Sequence, residues 1–163
     1  REAISWEKAV TGIFRKLGFD LSEHIGQKTA SNREGGYPDI RIRASGMTEC
    51  GFGDSKATMN YGLPLSDTIK LKTYYKDCWQ EFDDKTPSRF FLYIAGGFGK
   101  SAKAVESSLQ KCSESYGQPV SAVTVDALLD LGEMANPPPA AKLMDAFKKG
   151  GYFASCVDVE NAV

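Results

Sequence analysis

Apolar residues recur at helical spacing almost from the start of the chain. Between Ser5 and Leu17, Trp6, Val10, Ile13 and Leu17 form one stripe with Phe14 at its flank, and Ser5 is placed to cap the helix they predict. Gly18 ends it. Glu7 lies about 80° from the centre of that stripe, beside Phe14, at the boundary between core and solvent. The polar run Gln27 to Gly36 reads as a loop. Pro38 to Ala44 then alternates, Ile40 and Ile42 against Asp39, Arg41 and Arg43, and predicts a strand. Cys50 to Ala57 predicts a second strand beyond the Ser45-Gly46 turn. On it Phe52, Asp54 and Lys56 share one face. Gly51, Gly53 and Ser55 share the other and leave room for something to pack closely.

Ser66 caps a long helix running to Phe82, with Leu71, Tyr74, Tyr75, Cys78, Trp79 and Phe82 as its buried stripe and Lys70, Lys72 and Lys76 on its wet side. Arg89 to Ala95 shows no alternation and predicts a central strand buried on both faces. The glycines of Gly96 to Gly99 turn it into a helix from Ser101 to Cys112, which breaks at Tyr116-Gly117. A strand over Val120 to Val125, a short helix over Asp126 to Leu131 and, beyond Pro137-Pro138-Pro139, a last helix over Ala140 to Lys149 complete the pattern. The tail after Gly151 carries no assignment. This order predicts a single α/β domain over residues 1–163, a mixed central β-sheet flanked by helices.

Composition narrows the function more than the fold. With 42% hydrophobic and 25% charged residues in 163, the chain suits one domain and is too apolar for intrinsic disorder. No apolar run approaches the roughly 20 residues of a membrane span. The first residues show neither an initiator Met nor a signal peptide's apolar stretch, so the chain reads as a soluble intracellular protein or a fragment of one. Twenty Lys and Arg balance 21 Asp and Glu, which argues against tight stand-alone DNA binding. The four Cys lack the spacing of a zinc or redox site and read as reduced, partly buried thiols. A single histidine, His24, excludes a His-rich metal site, and no GxSxG elbow presents a nucleophilic Ser. Carboxylates, lysines and glycines remain.

They form two candidate sites. In the first, Asp39 and Asp54 converge from paired strands on one hard cation, and Lys56, on Asp54's face, reaches the scissile phosphate or the attacking water. Glu7 adds a third carboxylate from the helix that packs on this sheet. The competing reading is three solvated charges on an exposed hairpin; a strand otherwise made of Gly, Phe, Cys and Ser is a poor place for them. In the second, Ala95 to Ser101 (AGGFGKS) imitates a phosphate-cradling loop, with Asp126 after a strand imitating a Mg²⁺ holder. That motif's first glycine is replaced by Ile94, and the loop falls late in the chain. These glycines read instead as a tight strand-to-helix turn capped by Ser101.

The matching stretches extend well beyond three residues. Tyr37-Pro38-Asp39, Gly53 to Ala57 (GDSKA), Tyr61 to Leu65 (YGLPL), Phe90 to Phe98 (FFLYIAGGF), Ser121 to Met134 (SAVTVDALLDLGEM) and the helix Ala140 to Gly150 occur in the order found in Fok-type cleavage domains. The chain thus resembles the cleavage domain of type IIS restriction endonucleases, within the PD-(D/E)xK nuclease superfamily. The resemblance implies a restriction-endonuclease-like fold and Mg²⁺-dependent cleavage of double-stranded DNA with little sequence preference, Mn²⁺ substituting for Mg²⁺. It implies that Asp39, Asp54 and the Ser55 carbonyl bind the metal and that Lys56 positions or activates water. It further implies a cytoplasmic, prokaryotic protein that works with a sequence-recognition domain or subunit outside these 163 residues. Such domains pair transiently through the helix corresponding to Ser66 to Phe82, using an Asp and an Arg one turn apart. Here Ile69 and Thr73 stand at those positions. A catalytically idle nuclease fold used for docking on DNA is the alternative, and intact Asp39, Asp54 and Lys56 count against it.

Overall fold

The computed structural model describes residues 2–26, 37–73 and 86–163. The polar run Gln27 to Gly36 and the expected buried residues Tyr74, Tyr75, Cys78, Trp79 and Phe82, with Lys76, lie outside them. Among the described residues six strands form one sheet in chain order: β1 Glu23–His24, β2 Ile40–Ile42, β3 Cys50–Lys56, β4 Ser88–Ala95, β5 Val120–Thr124 and β6 Gly151–Phe153. The first three pair antiparallel and β3 to β6 pair parallel, so the sheet is mixed as expected. Helices α1 Glu2–Lys16, α2 Leu65–Thr73, α3 Ala102–Tyr116, α4 Val125–Glu133, α5 Ala140–Lys149 and α6 Cys156–Ala162 flank it.

Two apolar layers cover the two faces. One joins Val10 and Phe14 of α1, Leu128 and Leu131 of α4, Leu143 and Phe147 of α5 and Val159 of α6 to Ile40, Ile42, Phe90, Leu92 and Ile94 of the sheet. The other joins Leu71 of α2 and Val105, Leu109 and Cys112 of α3 to Phe52, Phe91 and Tyr93. β4 feeds both layers, which is why its sequence runs apolar without alternation. The tail left unassigned forms β6 and α6. Its helix is closed by a capping box, Ser155 accepting from the Asp158 N–H while Asp158 accepts from the Ser155 N–H.

The expected face assignment of β3 holds. Phe52 joins the α2/α3 layer, while a Cβ on Gly51 would stand 2.2 Å from the Phe90 ring and one on Gly53 would stand 2.8 Å from Ile94 Cδ1. Several details differ from the sequence reading. Helix α2 starts at Leu65, with the Thr68 N–H donating to the Pro64 carbonyl, so Ser66 lies inside its first turn and does not cap it. Helix α1 starts at Glu2, not at Ser5, because Glu2 suits the positive end of the helix and Ala3 propagates it readily. Its buried face centres on Val10, Thr11 and Phe14, with Trp6 and Ile13 at the flank, so Glu7 lies on the sheet-facing side one turn before Val10 and Thr11. Arg41 is only 3% exposed, since β1 covers the edge of β2 and brings Glu23 within 3.7 Å of it.

The glycine turn after β4 is a docking device for the chain itself. Gly97 N–H donates to the Thr58 carbonyl and Gly99 N–H to the Tyr61 carbonyl, while Tyr61 N–H donates to Gly97. A Cβ on Gly97 would stand 2.4 Å from the Met59 carbonyl oxygen. Two amides of this turn are therefore engaged by the 58–61 loop, and Ser101 caps α3 by accepting from Ala104 N–H at 3.2 Å. The phosphate-loop reading of this segment ends here. Among the described residues Cys50 and Cys112 are buried and Cys156 half-buried, and none of the three is in a disulfide; the Cys50 thiol donates to the Thr86 carbonyl at 3.3 Å.

The close approach of Phe90 to Gly51 sets a stability test. Gly51→Ala places a methyl group against a fully buried ring and is expected to lower unfolding free energy by about 1–3 kcal/mol in urea melts. A neutral result would contradict the packing described for this face.

Candidate active site

Asp39 immediately precedes β2, and Asp54 lies near the end of β3. The register sets Ile40 opposite Gly53, so the two carboxylates meet at the mouth of the hairpin. Each is held by the other's strand. The Asp39 N–H donates to the Gly53 carbonyl at 3.0 Å and to Asp54 Oδ1 at 3.2 Å. In return the Ser55 N–H donates to Asp39 Oδ2 at 2.8 Å. In a strand the N–H and C=O of one residue open to the same side, so the Ser55 carbonyl also opens toward Asp39. Asp54 is 2% exposed, and this is no solvated hairpin surface.

Crowding of the acids shifts their titration. Burial and the neighbouring Asp54 push the Asp39 carboxyl up to about 8; Glu7 adds to the repulsion, while the Ser55 N–H and Lys56 relieve part of it. Beneath Asp54 the buried Tyr93 phenol is pushed far up, first by burial and then by Asp54. Lys56 follows Asp54 on the same face, its Nζ 5.9 Å from the centre of the Tyr61 ring. The Tyr61 hydroxyl donates to Asp67 Oδ2 at 2.7 Å, and Lys70 lies 3.5 Å from Asp67 Oδ1. Burial pushes the Asp67 carboxyl up, but Tyr61, Lys56 and Lys70 together hold it below its ordinary range.

Glu7 reaches the site from α1 and is within electrostatic range of Asp39, but its closest partner is His24, Nε2 to Oε2 at 2.5 Å. Among the described residues no group of three or more His, Cys, Asp and Glu side chains is gathered to hold a metal ion. The available donors are the Asp39–Asp54 pair and a backbone carbonyl. That hard, anionic oxygen set fits Mg²⁺, which keeps most of its waters and takes one or two carboxylates.

The family model described as the FokI cleavage domain matches residues 1–149. The chain belongs to the FokI cleavage-domain family. Its fold matches the structure of restriction endonuclease FokI with a TM-score of 0.68 at 21% identity, over 90% of this chain and 27% of that one. The structure of FokI bound to DNA matches with a TM-score of 0.66 at the same identity and coverage. The chain thus spans about a quarter of FokI's length, and the likeness is one of fold. No curated protein matches the chain.

In this FokI-type domain the structure brings Asp39, Asp54, Ser55 and Lys56 together. Sequence reasoning did not place His24 beside Glu7, since its two-residue strand is too short for any periodicity to reveal. It also missed the Tyr61–Asp67 support beneath Lys56, where Asp67 reads merely as a first-turn helix acid.

The buried carboxylate pair has a pH signature in metal-free protein. A folded pKa near 8, above the ordinary 3.8, means that native protein binds the Asp39 proton more tightly than unfolded protein does. That contribution to stability is full below about pH 4 and is lost as pH rises through about 8. Denaturant melts in EDTA across this range are expected to show the decline in wild type and a flatter profile in Asp39→Asn. Equal slopes in the two proteins would contradict the burial argument.

Proposed function

We propose that this domain is a Mg²⁺-dependent endodeoxyribonuclease that hydrolyses phosphodiester bonds of double-stranded DNA. It has little sequence preference of its own and works under a recognition domain or subunit outside these residues. The observation that carries the reading is the reciprocal clamp of Asp39 and Asp54 on adjacent strands with Lys56 following on the same face. Asp39, Asp54 and the Ser55 carbonyl would hold the ion, with Mn²⁺ as a substitute. When bound, it polarises the phosphoryl oxygens and lowers the pKa of water.

The chain's own residues supply the rest. Burial and the neighbouring Asp54 raise the Asp39 carboxyl, and a bound cation would favour its ionised form. Lys56 offers an ammonium group to the charge that develops on the phosphate during in-line attack. Tyr61, fixed through Asp67, restricts where that ammonium group can go. Membership in the FokI cleavage-domain family and the fold shared with FokI bound to DNA support the same reading.

One such site cuts one strand at a time, so a double-strand break needs two copies or two visits. Helix α2 exposes Leu65 and Ile69, at 74% and 57%, and offers an apolar surface to a second copy. A contact of this kind is less sensitive to salt than one built on charge.

Two experiments follow. Plasmid cleavage with and without Mg²⁺ is expected to lose about 10³-fold or more, roughly 4 kcal/mol of barrier, in Asp54→Ala, and to stay near wild type in Lys100→Ala. An active Asp54→Ala would overturn the nuclease reading. With active enzyme, nicked plasmid is expected first, linear product rising more steeply than protein concentration. Ile69→Asp should suppress linear product more than nicks; linearisation first-order in protein would rule out pairing through α2.

A further inference from the structure

The Glu7–His24 contact plays no part in the scheme above, yet four features tie it to the site. First, His24 lies opposite Ile40 in the β1–β2 ladder, so it stands one residue from Asp39 along the sheet edge. The two residues after it, Ile25 and Gly26, donate their backbone N–H groups to the Asp39 carbonyl at 2.8 and 3.4 Å. The imidazole and the Asp39 carboxylate therefore ride on one backbone unit.

Second, the pair is largely withdrawn from water: the side chains of His24 and Glu7 are 12% and 15% exposed. A fully solvated pair would contribute little to stability, whereas a shielded one holds its geometry. Third, the ring is wedged. Gly26, at φ +52°, lies so close that a Cβ on it would stand 2.7 Å from Cε1 and 2.9 Å from Nε2. Fourth, Nδ1 is buried with no hydrogen-bond partner among the described residues. A proton there would be a buried donor without an acceptor, so the proton belongs on Nε2, which donates it to Glu7 Oε2. One Glu7 oxygen is thereby fixed and the other remains available.

We propose that His24 is a positioning residue of the nuclease centre. It fixes Glu7 through one carboxylate oxygen and leaves the other to accept a hydrogen bond from the water that attacks the scissile phosphate. This role rests on the nuclease reading above. It assigns a task to a histidine that neither binds the metal nor touches the phosphate.

The test compares His24→Leu, His24→Gln, Glu7→Gln and the double variant Glu7→Gln/His24→Leu. Where His24→Leu does not fold, His24→Phe, which fills the space without a donor, replaces it in both. Under saturating Mg²⁺, loss of the donor is expected to lower kcat for plasmid nicking about 10- to 100-fold with KM nearly unchanged. His24→Gln, which can still donate to Glu7, should recover most of that loss, and the double variant should be no slower than Glu7→Gln alone. A readout independent of activity comes from the chain's single imidazole. In wild type its ¹⁵N signals should report the proton on Nε2, and Glu7→Gln should shift them.

Full activity in the variant lacking the donor, no recovery by His24→Gln, or losses that simply multiply in the double variant would overturn the role of His24 alone. So would imidazole signals that place the proton on Nδ1. A wild-type protein that cleaves no DNA with either Mg²⁺ or Mn²⁺ would overturn the nuclease reading, and the role of His24 with it.

Discussion

The antiparallel register of β2 on β3 holds the candidate site together. Ile40 faces Gly53, and from that single pairing the Asp39 N–H meets the Gly53 carbonyl while the Ser55 N–H meets the Asp39 carboxylate. Side chains alternate along a strand, so sliding β3 by one residue would turn Asp54 into the layer occupied by Phe90 and Ile94. The glycines of β3 act against such a slip. Gly51 and Gly53 admit Phe90 and Ile94 so closely that a side chain in their place would push these residues aside.

The same arrangement is unfavourable for folding considered alone. Two carboxylates share a corner in which one of them is almost completely buried. The rest of the molecule offsets this strain with apolar burial on both faces of the sheet, and β4 contributes side chains to each. Destabilised sites of this kind persist where the surrounding structure over-determines them. Here the over-determination is visible in backbone donors aimed at carboxylate oxygens and in the Tyr61–Asp67 contact below Lys56.

Much of this was legible in the sequence, for reasons that particular residues make plain. Alternation about Ile40 and Ile42, the unbroken run in β4 and the helical stripes of α1 and α5 report burial directly, because one apolar face or two must be covered. Asp39, Asp54 and Lys56 were legible because a glycine-rich strand is an unfavourable place for casual charge. What escaped depends on contacts distant in sequence. β1 exists because residues 23 and 24 pair with β2, and nothing local in Glu23-His24 signals it. The stripe of Trp6, Val10, Ile13 and Leu17 sets the apolar face of α1 a fraction of a turn away from the one the sheet selects, Val10, Thr11 and Phe14. That rotation turns Glu7 from a boundary residue into a partner of His24.

The glycine turn after β4 limits how this domain can be altered by insertion. Loops between a strand and a helix usually accept added residues at little thermodynamic expense, because closure entropy grows slowly with length. The segment from Thr58 to Tyr61 is an exception, being stitched to Gly97 and Gly99 by three backbone hydrogen bonds. Residues added there would detach the chain just beyond Lys56 and loosen the end of the strand that carries it. The tip at Gly46, whose surroundings leave open space, has no such attachment to the site. A peptide tag or a fused binding module therefore belongs at the β2–β3 turn, and the β3–α2 loop should keep its length.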